Sequence, residues 1–378
     1  MSERAPRFLF VPVSGEYGMG EYARSVAIAR GAEARWPDAS VLFVLSRAAP
    51  YADTTPFPTT LLDSSPTFHS AAMIEVMQSW GPDVVIFDNA GRTAQLRAAK
   101  RCGAGVVFIS ARRRQRRKAF RLSWMRLIDE HWIAYPQFIA GELGFLERLK
   151  LKHMRRPQVR FLDVILAQGG GKARESMVAR TGCVPGRYLL VVPGGGTGHP
   201  GADDAVDRFL HAARELAAGG IDTVFVGREG PAFGGSIEPG SRGPAGPVPG
   251  EPAAAAPAAD SRLRMTGPLP QSDLAELMRG ARLVIANGGS TLLQSIACGK
   301  ASIAVPIAGD QGERIRRCVS AGVAVAAPLD AAAIRTAAAD LWNDEQALNA
   351  LAGRAAGLGL GDGVEVALRA LTRLLESG

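Results

Sequence analysis

Two short turns carry the residue types best suited to chemistry in this chain. The first is Asn287-Gly288-Gly289-Ser290-Thr291, and the second ends in Asp310-Gln311. Each turn follows an apolar run and precedes a segment with helical periodicity, so each would present backbone N–H groups at the start of a helix. N–H groups in that position bind anions such as the phosphates of a nucleotide. The pattern therefore predicts a nucleotide-diphosphate site.

The elements that must position these turns form a strand-turn-helix unit that occurs twice in succession. Apolar runs at 281–286 and 302–307 predict the two strands, and an amphipathic helix lies between them. In an open parallel sheet, ligands bind outside the carboxyl ends of the strands, which is where both turns fall. A third glycine turn, Gly194-Gly195-Gly196-Thr197, follows another apolar strand.

The whole chain of 378 residues predicts two α/β domains, since one such domain has roughly 100 to 200 residues. Strands and helices alternate in both halves, which indicates doubly wound parallel sheets. We assign an N-terminal domain to residues 1–165, a C-terminal domain to 180–345 and a helical tail to 346–378. Residues 230–260 are rich in Gly, Pro and Ala, and we expect a flexible insertion there.

Composition limits the class of protein. No apolar run approaches the roughly 20 residues of a membrane span. The N-terminus lacks a signal-peptide pattern, and the four cysteines have neither disulfide-framework nor zinc-site spacing. We therefore expect a reduced, cytoplasmic protein without a bound metal or cofactor.

The net charge of +8 is concentrated in one region. Twelve Arg and Lys residues and no acidic residue lie between Asp88 and Asp129, and the densest part contains Arg112, Arg113, Arg116 and Arg117. A solvated surface loop is the simplest interpretation. Phe120, Trp124 and Met125 lie close to these arginines in the sequence. They favour instead a basic and aromatic rim that contacts a phosphate-bearing or lipid-linked molecule at an anionic membrane surface. We rank that interpretation above nucleic-acid binding, which basic runs also permit.

Residues 284–315, VIANGGSTLLQSIACGKASIAVPIAGDQGERI, resemble the donor-site signature of GT-B glycosyltransferases, and glycosyltransferase family 28 most of all. The resemblance covers most of 180–345, and more loosely the first 45 residues through PVSGEYGMGEYAR. It implies two Rossmann-like domains that face each other across a cleft. The C-terminal domain would hold a nucleotide sugar, usually linked to UDP, and the N-terminal domain a hydroxyl acceptor. The family requires no metal and commonly inverts the anomeric carbon.

The resemblance also implies roles for individual residues of the donor site. Gly288, Gly289, Ser290 and Thr291 would contact the diphosphate, next to Asn287 and the turn at 194–197. Gln294 matches a position that binds the ribose hydroxyls, although T-x-x-Q is also a capping box that would serve only the helix start. Asp310 and Gln311 match positions that bind hydroxyls of the donor sugar.

The catalytic base is where this chain departs from the family pattern. The first glycine turn, with Gly18 and Gly20 on the acceptor side, carries Glu21 where the family usually has a histidine. A carboxylate can accept the acceptor's proton, with Asp88 as a candidate partner. The alternative interpretation is that Glu21 only interacts with the helix dipole and that Asp88 is a turn residue.

These observations predict a metal-independent, inverting glycosyltransferase, attached peripherally to the inner face of the cell membrane if its acceptor is lipid-linked. Two alternatives stay open. One is a nucleotide-sugar hydrolase or epimerase on the same fold, and the other is a non-catalytic nucleotide-sugar-binding protein.

Overall fold

A computed structural model of the chain describes residues 5–13, 19–89, 91–166, 175, 177, 181–194, 204–227 and 262–377. Gly18, the stretch Gly195-Gly196-Thr197 and the predicted insertion at 230–260 lie outside the described residues. The chain divides into two compact units. Unit 1 is Met1–Ala167 together with Leu358–Gly378, and unit 2 is Gln168–Gly357.

Unit 1 is built on a parallel sheet of seven strands among its described residues, in the order β3-β2-β1-β4-β5-β6-β7. Its elements along the chain are β1 (Arg7–Pro12), α1 (Gly20–Arg35), β2 (Ser40–Ser46), a 3-10 turn (Ala52–Thr54), β3 (Thr59–Leu62), α2 (Ser70–Trp80), β4 (Val84–Asp88), α3 (Thr93–Arg101), β5 (Gly105–Ser110), α4 (Arg113–Ala119), α5 (Leu122–Met125), β6 (Glu130–Ile133), α6 (Gln137–Ala140), α7 (Phe145–Met154) and β7 (Gln158–Phe161).

Strands β1, β2, β4 and β5 of unit 1 are apolar on both faces because helices cover both sides of a parallel sheet. Successive residues of β1 alternate between two cores: Phe8 and Phe10 belong to one, and Leu9 and Val11 to the other. The register pairs Pro12 at the end of β1 with Asp88 at the end of β4. The two carboxyl ends therefore lie side by side.

Unit 2 has a parallel sheet of six strands among its described residues, in the order β10-β9-β8-β11-β12-β13. Its elements are β8 (Leu189–Val192), α8 (Ala205–Ala218), β9 (Thr223–Val226), β10 (Leu263–Thr266), α9 (Gln271–Gly280), β11 (Leu283–Asn287), α10 (Ser290–Ala297), β12 (Ala301–Val305), α11 (Gln311–Ser320), β13 (Val325–Ala326), α12 (Ala331–Asn343) and α13 (Glu345–Gly357).

The C-terminal segment differs from the single tail that the sequence predicts at 346–378. Helix α13 adds Leu348 and Leu351 to the core of unit 2. Helix α14 (Gly363–Ser377) instead adds Leu368 and Leu371 to the core of unit 1. The tail is divided because both helices have an apolar face to bury, and each finds a different sheet.

Both units are doubly wound parallel α/β folds, as the sequence predicts. The strand order reverses between β1 and β4 in unit 1, and between β8 and β11 in unit 2. These topological switch points are where open α/β sheets leave a crevice for a ligand. No helix in the described part of the chain is long and apolar enough to cross a membrane.

Candidate functional site

The switch point of unit 2 is closed by a buried amide side chain. Asn287 ends β11, and its Nδ2 donates to the Pro193 carbonyl oxygen beyond the end of β8, at 2.7 Å. Its Oδ1 accepts from the Gly289 N–H, also at 2.7 Å. One neutral side chain therefore joins two adjacent strand ends and fixes the turn before α10, so Asn287 holds the predicted donor turn in shape.

Glycine is required around this clamp by close approach of other atoms. A Cβ on Gly194 would lie 1.9 Å from Asn287 Nδ2, and Gly194 also has a φ of +123°. A Cβ on Gly288 would lie 2.6 Å from Ile315 Cδ1. The glycines thus allow the turn to pack against both the neighbouring strand end and α11.

Helix α10 begins at this turn without a side-chain cap. Its N-cap is Gly289, which has no side chain to offer, and its first residue, Ser290, is exposed. The first N–H groups of a helix have no acceptor within the helix, so here they are left to solvent or to a ligand. The strand end, the uncapped start and the positive end of the helix dipole together suit an anion.

The structure corrects the capping interpretation of Gln294. Because the N-cap is Gly289, Thr291 lies inside α10, and the two residues cannot form the predicted capping box. Gln294 is half-buried, and its Nε2 donates at 3.4 Å to Oε1 of Gln271, the first residue of α9. The ribose-binding role of Gln294 stays a prediction.

Gln311 supports the second turn from within. Its Oε1 accepts from the Ile307 N–H at 2.9 Å and from the Gly288 N–H at 3.2 Å, and the residue is buried. Gln311 therefore joins the two predicted turns. Its role as a sugar-binding residue stays a prediction, but this oxygen already has two donors.

Asp310 is mostly exposed and lies 3.3 Å from the guanidinium of Arg314. Arg314 is itself nearly buried and also donates to the carbonyl oxygen of Gly288. A fixed positive charge thus lies beneath the first turn, where it favours an anionic ligand. Arg314 is not among the residues predicted for the site, although its place four residues after Asp310 on a helix is a usable signal.

The switch point of unit 1 is built from charges. Arg24 on α1 donates from Nε and a terminal nitrogen to both oxygens of Asp88, at 2.8 and 2.7 Å, and both side chains are buried. Burial raises the pKa of Asp88 to about 6, against the opposing effect of Arg24. Burial lowers the pKa of Arg24, but Asp88 more than offsets this and raises it. Asp88 is thus an ion-pair partner that fixes α1 to the end of β4.

Glu21 lies one turn before Arg24 on the same helix and has a different partner. Asn89 Nδ2 donates to Glu21 Oε1 at 2.5 Å, while Asn89 Oδ1 accepts from the Ala111 N–H at 3.0 Å. Asn89 has a left-handed φ of 54°, a conformation more common for Asn than for most residues. The partner of Glu21 is therefore Asn89, which is not among the predicted site residues, and not the predicted Asp88. Gly20 is exposed just before Glu21.

The basic segment is a helix, α4, rather than the predicted loop. Arg112, Arg113 and Arg117 are exposed. Arg116 instead forms a two-point ion pair with Glu147 at 2.6 and 3.1 Å and donates to the carbonyl oxygens of residues 140–142.

The predicted aromatic rim beside these arginines is wrong. Phe120, Trp124 and Met125 are all at most 3% exposed, because α4 and α5 pack them against the sheet. The segment therefore presents cations to solvent without the apolar side chains that the sequence analysis expected next to them.

Among the described residues, no group of three or more His, Cys, Asp or Glu side chains is arranged to hold a metal ion. Metal-independence stays a prediction.

Comparison with solved structures identifies the fold. A UDP-glucosyltransferase from Polygonum tinctorium that glucosylates indoxyl has a TM-score of 0.63 at 12% identity, over the whole of both chains. MurG from Acinetobacter baumannii has 0.59 at 14% identity, over 98% of this chain and 100% of its own. A structure described as a UDP-N-acetylglucosamine 2-epimerase from Listeria monocytogenes has 0.57 at 14%, over 99% and 98%.

Protein-family models and curated sequences give no match to the chain. At these identities the structural likeness shows a shared fold. That fold is GT-B, as the donor-site signature predicts.

Proposed function

We propose that this chain is a glycosyltransferase that moves a sugar from a nucleotide donor to a hydroxyl acceptor. One observation carries the proposal. At the switch point of unit 2, the uncapped start of α10 is held by Asn287 and backed by the Arg314 guanidinium. A diphosphate matches this arrangement of N–H groups and positive charge. The fold shared with UDP-sugar enzymes supports UDP as the nucleotide.

In the proposed reaction the acceptor oxygen attacks the anomeric carbon while the bond from that carbon to the diphosphate oxygen breaks. The nucleoside diphosphate leaves with the bonding electrons, and the anomeric carbon inverts. Unit 2 stabilises the negative charge that develops on the leaving group. Glu21 receives the proton of the acceptor hydroxyl, and Asn89 fixes the orientation of the carboxylate. Asp88 and Arg24 hold the helix that carries Glu21.

The direct test is calorimetric binding of UDP-, GDP-, ADP- and CMP-sugars to the pure protein in excess chelator. We expect a UDP-sugar to bind, since backbone N–H groups and Arg314 replace the metal in this proposal. Replacing both Ser290 and Thr291 with leucine should abolish binding, while the temperature of thermal unfolding should stay close to that of wild type. Binding that requires a divalent metal, or equal affinity in wild type and the double variant, would contradict the proposal.

A second candidate is supported by the epimerases that share the fold. An epimerase or hydrolase would convert the donor without an acceptor, whereas a transferase needs one. Release of nucleoside diphosphate, measured with and without a panel of hydroxyl acceptors, separates these activities. Donor binding without any turnover would instead indicate the non-catalytic binding protein. A lipid-linked acceptor belongs in the panel, because the exposed arginines of α4 suit an anionic surface.

A further inference from the structure

Helix α7 is exposed in a way that the proposed activity does not explain. None of its residues is buried. Three large apolar side chains on it are mostly exposed: Phe145 at 73%, Leu146 at 66% and Leu149 at 52%. Single exposed apolar residues are normal, but a contiguous group on one helix marks an interaction surface.

The attachment of α7 fixes which of its faces is outward. Glu147 is held by Arg116, and Lys150 Nζ donates to the carbonyl oxygen of Phe120 at 3.0 Å. Residues 147, 150, 151 and 154 share one face by helical spacing, and all four are half-buried. Phe145 and Leu149 lie on the opposite face of the helix and therefore point away from the protein.

The outward face is also basic. Arg148 and Lys152 are exposed and lie beside Phe145 and Leu149 by helical spacing. Helix α4, which Arg116 ties to α7, adds the exposed Arg112, Arg113 and Arg117. The nearby acids offset few of these charges, because Glu147 is paired with Arg116 and Glu142 lies 4.0 Å from Arg148.

We propose that α7 and the exposed arginines of α4 form a docking surface for an anionic lipid membrane. Phe145, Leu146 and Leu149 enter the boundary between headgroups and acyl chains, with the helix lying in the plane of the membrane. The cations contact lipid phosphates around them. The apolar component of this surface is thus α7, not the buried Phe120, Trp124 and Met125.

Two other occupants fit the surface less well. Nucleic acid would use the cations, but it offers no apolar layer for Phe145 and two leucines. A second copy of the chain would cover the apolar side chains, but it would bring two basic surfaces together, and like charges repel. A lipid surface satisfies both features at once.

The test is co-sedimentation of the full chain with vesicles of phosphatidylcholine alone or with one third phosphatidylglycerol. We expect wild type to pellet with the anionic vesicles, less so as salt rises, because salt screens the attraction. The double variant Phe145→Ser, Leu149→Ser should bind at least about tenfold more weakly, since it removes two apolar side chains from the lipid. Arg113→Glu with Arg117→Glu should weaken binding by a similar or larger factor.

Phe68→Ser is the matched control, because Phe68 is 71% exposed in the same unit but lies outside α4 and α7. It should bind vesicles as wild type does, and thermal unfolding should confirm that every variant is folded. Equal pelleting of the α7 variant and wild type would overturn the proposal. Loss of self-association in the α7 variant without any vesicle binding by wild type would do so as well, in favour of a dimer surface. The assay needs no donor and no turnover, so its outcome is independent of the proposed transfer.

Discussion

The two switch points have the same topology and opposite chemistry. In unit 2, neutral amides of Asn287 and Gln311 connect strand ends and turns, and the nearby cation Arg314 lies beneath the turn. In unit 1, a buried Arg24–Asp88 ion pair connects α1 to the end of β4, and Glu21 lies beside it. The neutral amides add no charge at the strand ends of unit 2, and the positive charge of Arg314 is partly offset by the mostly exposed Asp310. A charged cluster with a carboxylate at its edge suits proton transfer. The same fold therefore supports two different tasks through the residues at one strand end.

The largest loss of stability should come from breaking the Arg24–Asp88 ion pair. Arg24→Met leaves Asp88 buried without its partner, which costs about 3–5 kcal/mol of stability in comparable pairs. We expect unit 1 to unfold at a much lower urea concentration than in wild type. Fluorescence measures this unfolding. The double variant Arg24→Met, Asp88→Leu should recover much of the loss, because no unpaired charge remains. A single variant as stable as wild type would show that the pair does not hold α1 in place.

Removing the hydrogen bonds of the neutral Asn287 side chain should lower the stability by a smaller amount. Asn287→Leu leaves the Pro193 carbonyl and the Gly289 N–H without this partner, which amounts to about 2 kcal/mol. Because the turn is then no longer fixed, affinity for the nucleotide sugar should fall more than the stability does. Calorimetry and urea unfolding on the same samples measure both. Asn287→Asp retains the oxygen that accepts from Gly289 but loses the donor to the Pro193 carbonyl and adds a negative charge, so its donor affinity should also fall. A stability loss with unchanged donor affinity would separate the clamp from the donor site.

The pH dependence of stability should distinguish the Arg24–Asp88 pair from the Asn287 side chain, since only the pair is ionisable. The pKa of Asp88 is raised from 3.8 to about 6 by burial, so the folded chain binds the proton more tightly than the unfolded chain. The stabilisation from this group is therefore complete below about pH 4 and is lost as pH rises through about 6. The stability of wild type relative to Asp88→Asn should fall over that interval in urea titrations. A rise would mean that Arg24 outweighs burial.

The smallest effect should come from Gln294. Gln294→Ala should weaken donor binding by about 1 kcal/mol, the order of one hydrogen bond. Stability should hardly change, because Gly289 and not Thr291 is the N-cap of α10. Unchanged donor affinity would show that Gln294 does not bind the donor.

The sequence supports reliable prediction where the signal is local. The glycine turns, the strands that end in them and the parallel sheets follow from patterns a few residues long. Arg24–Asp88 joins residues 64 apart, and Asn89 reaches Glu21 over 68. Such contacts depend on how helices pack on the sheet, so no local pattern identifies them. The predicted aromatic rim is wrong for the same reason: α4 formed where we expected a loop, and the packing of α4 and α5 on the sheet buried Trp124.

Helix α14 has a consequence for the order in which the protein can be made. Unit 1 begins at the N-terminal end of the chain, but its core includes Leu368 and Leu371, which follow all of unit 2. During translation, unit 2 can therefore fold on a ribosome that has not yet synthesised α14. The first sheet must wait with an apolar face uncovered, and unpaired apolar faces of that kind are what chaperones bind. A stalled or truncated chain should consequently release a folded second unit attached to an aggregation-prone first one.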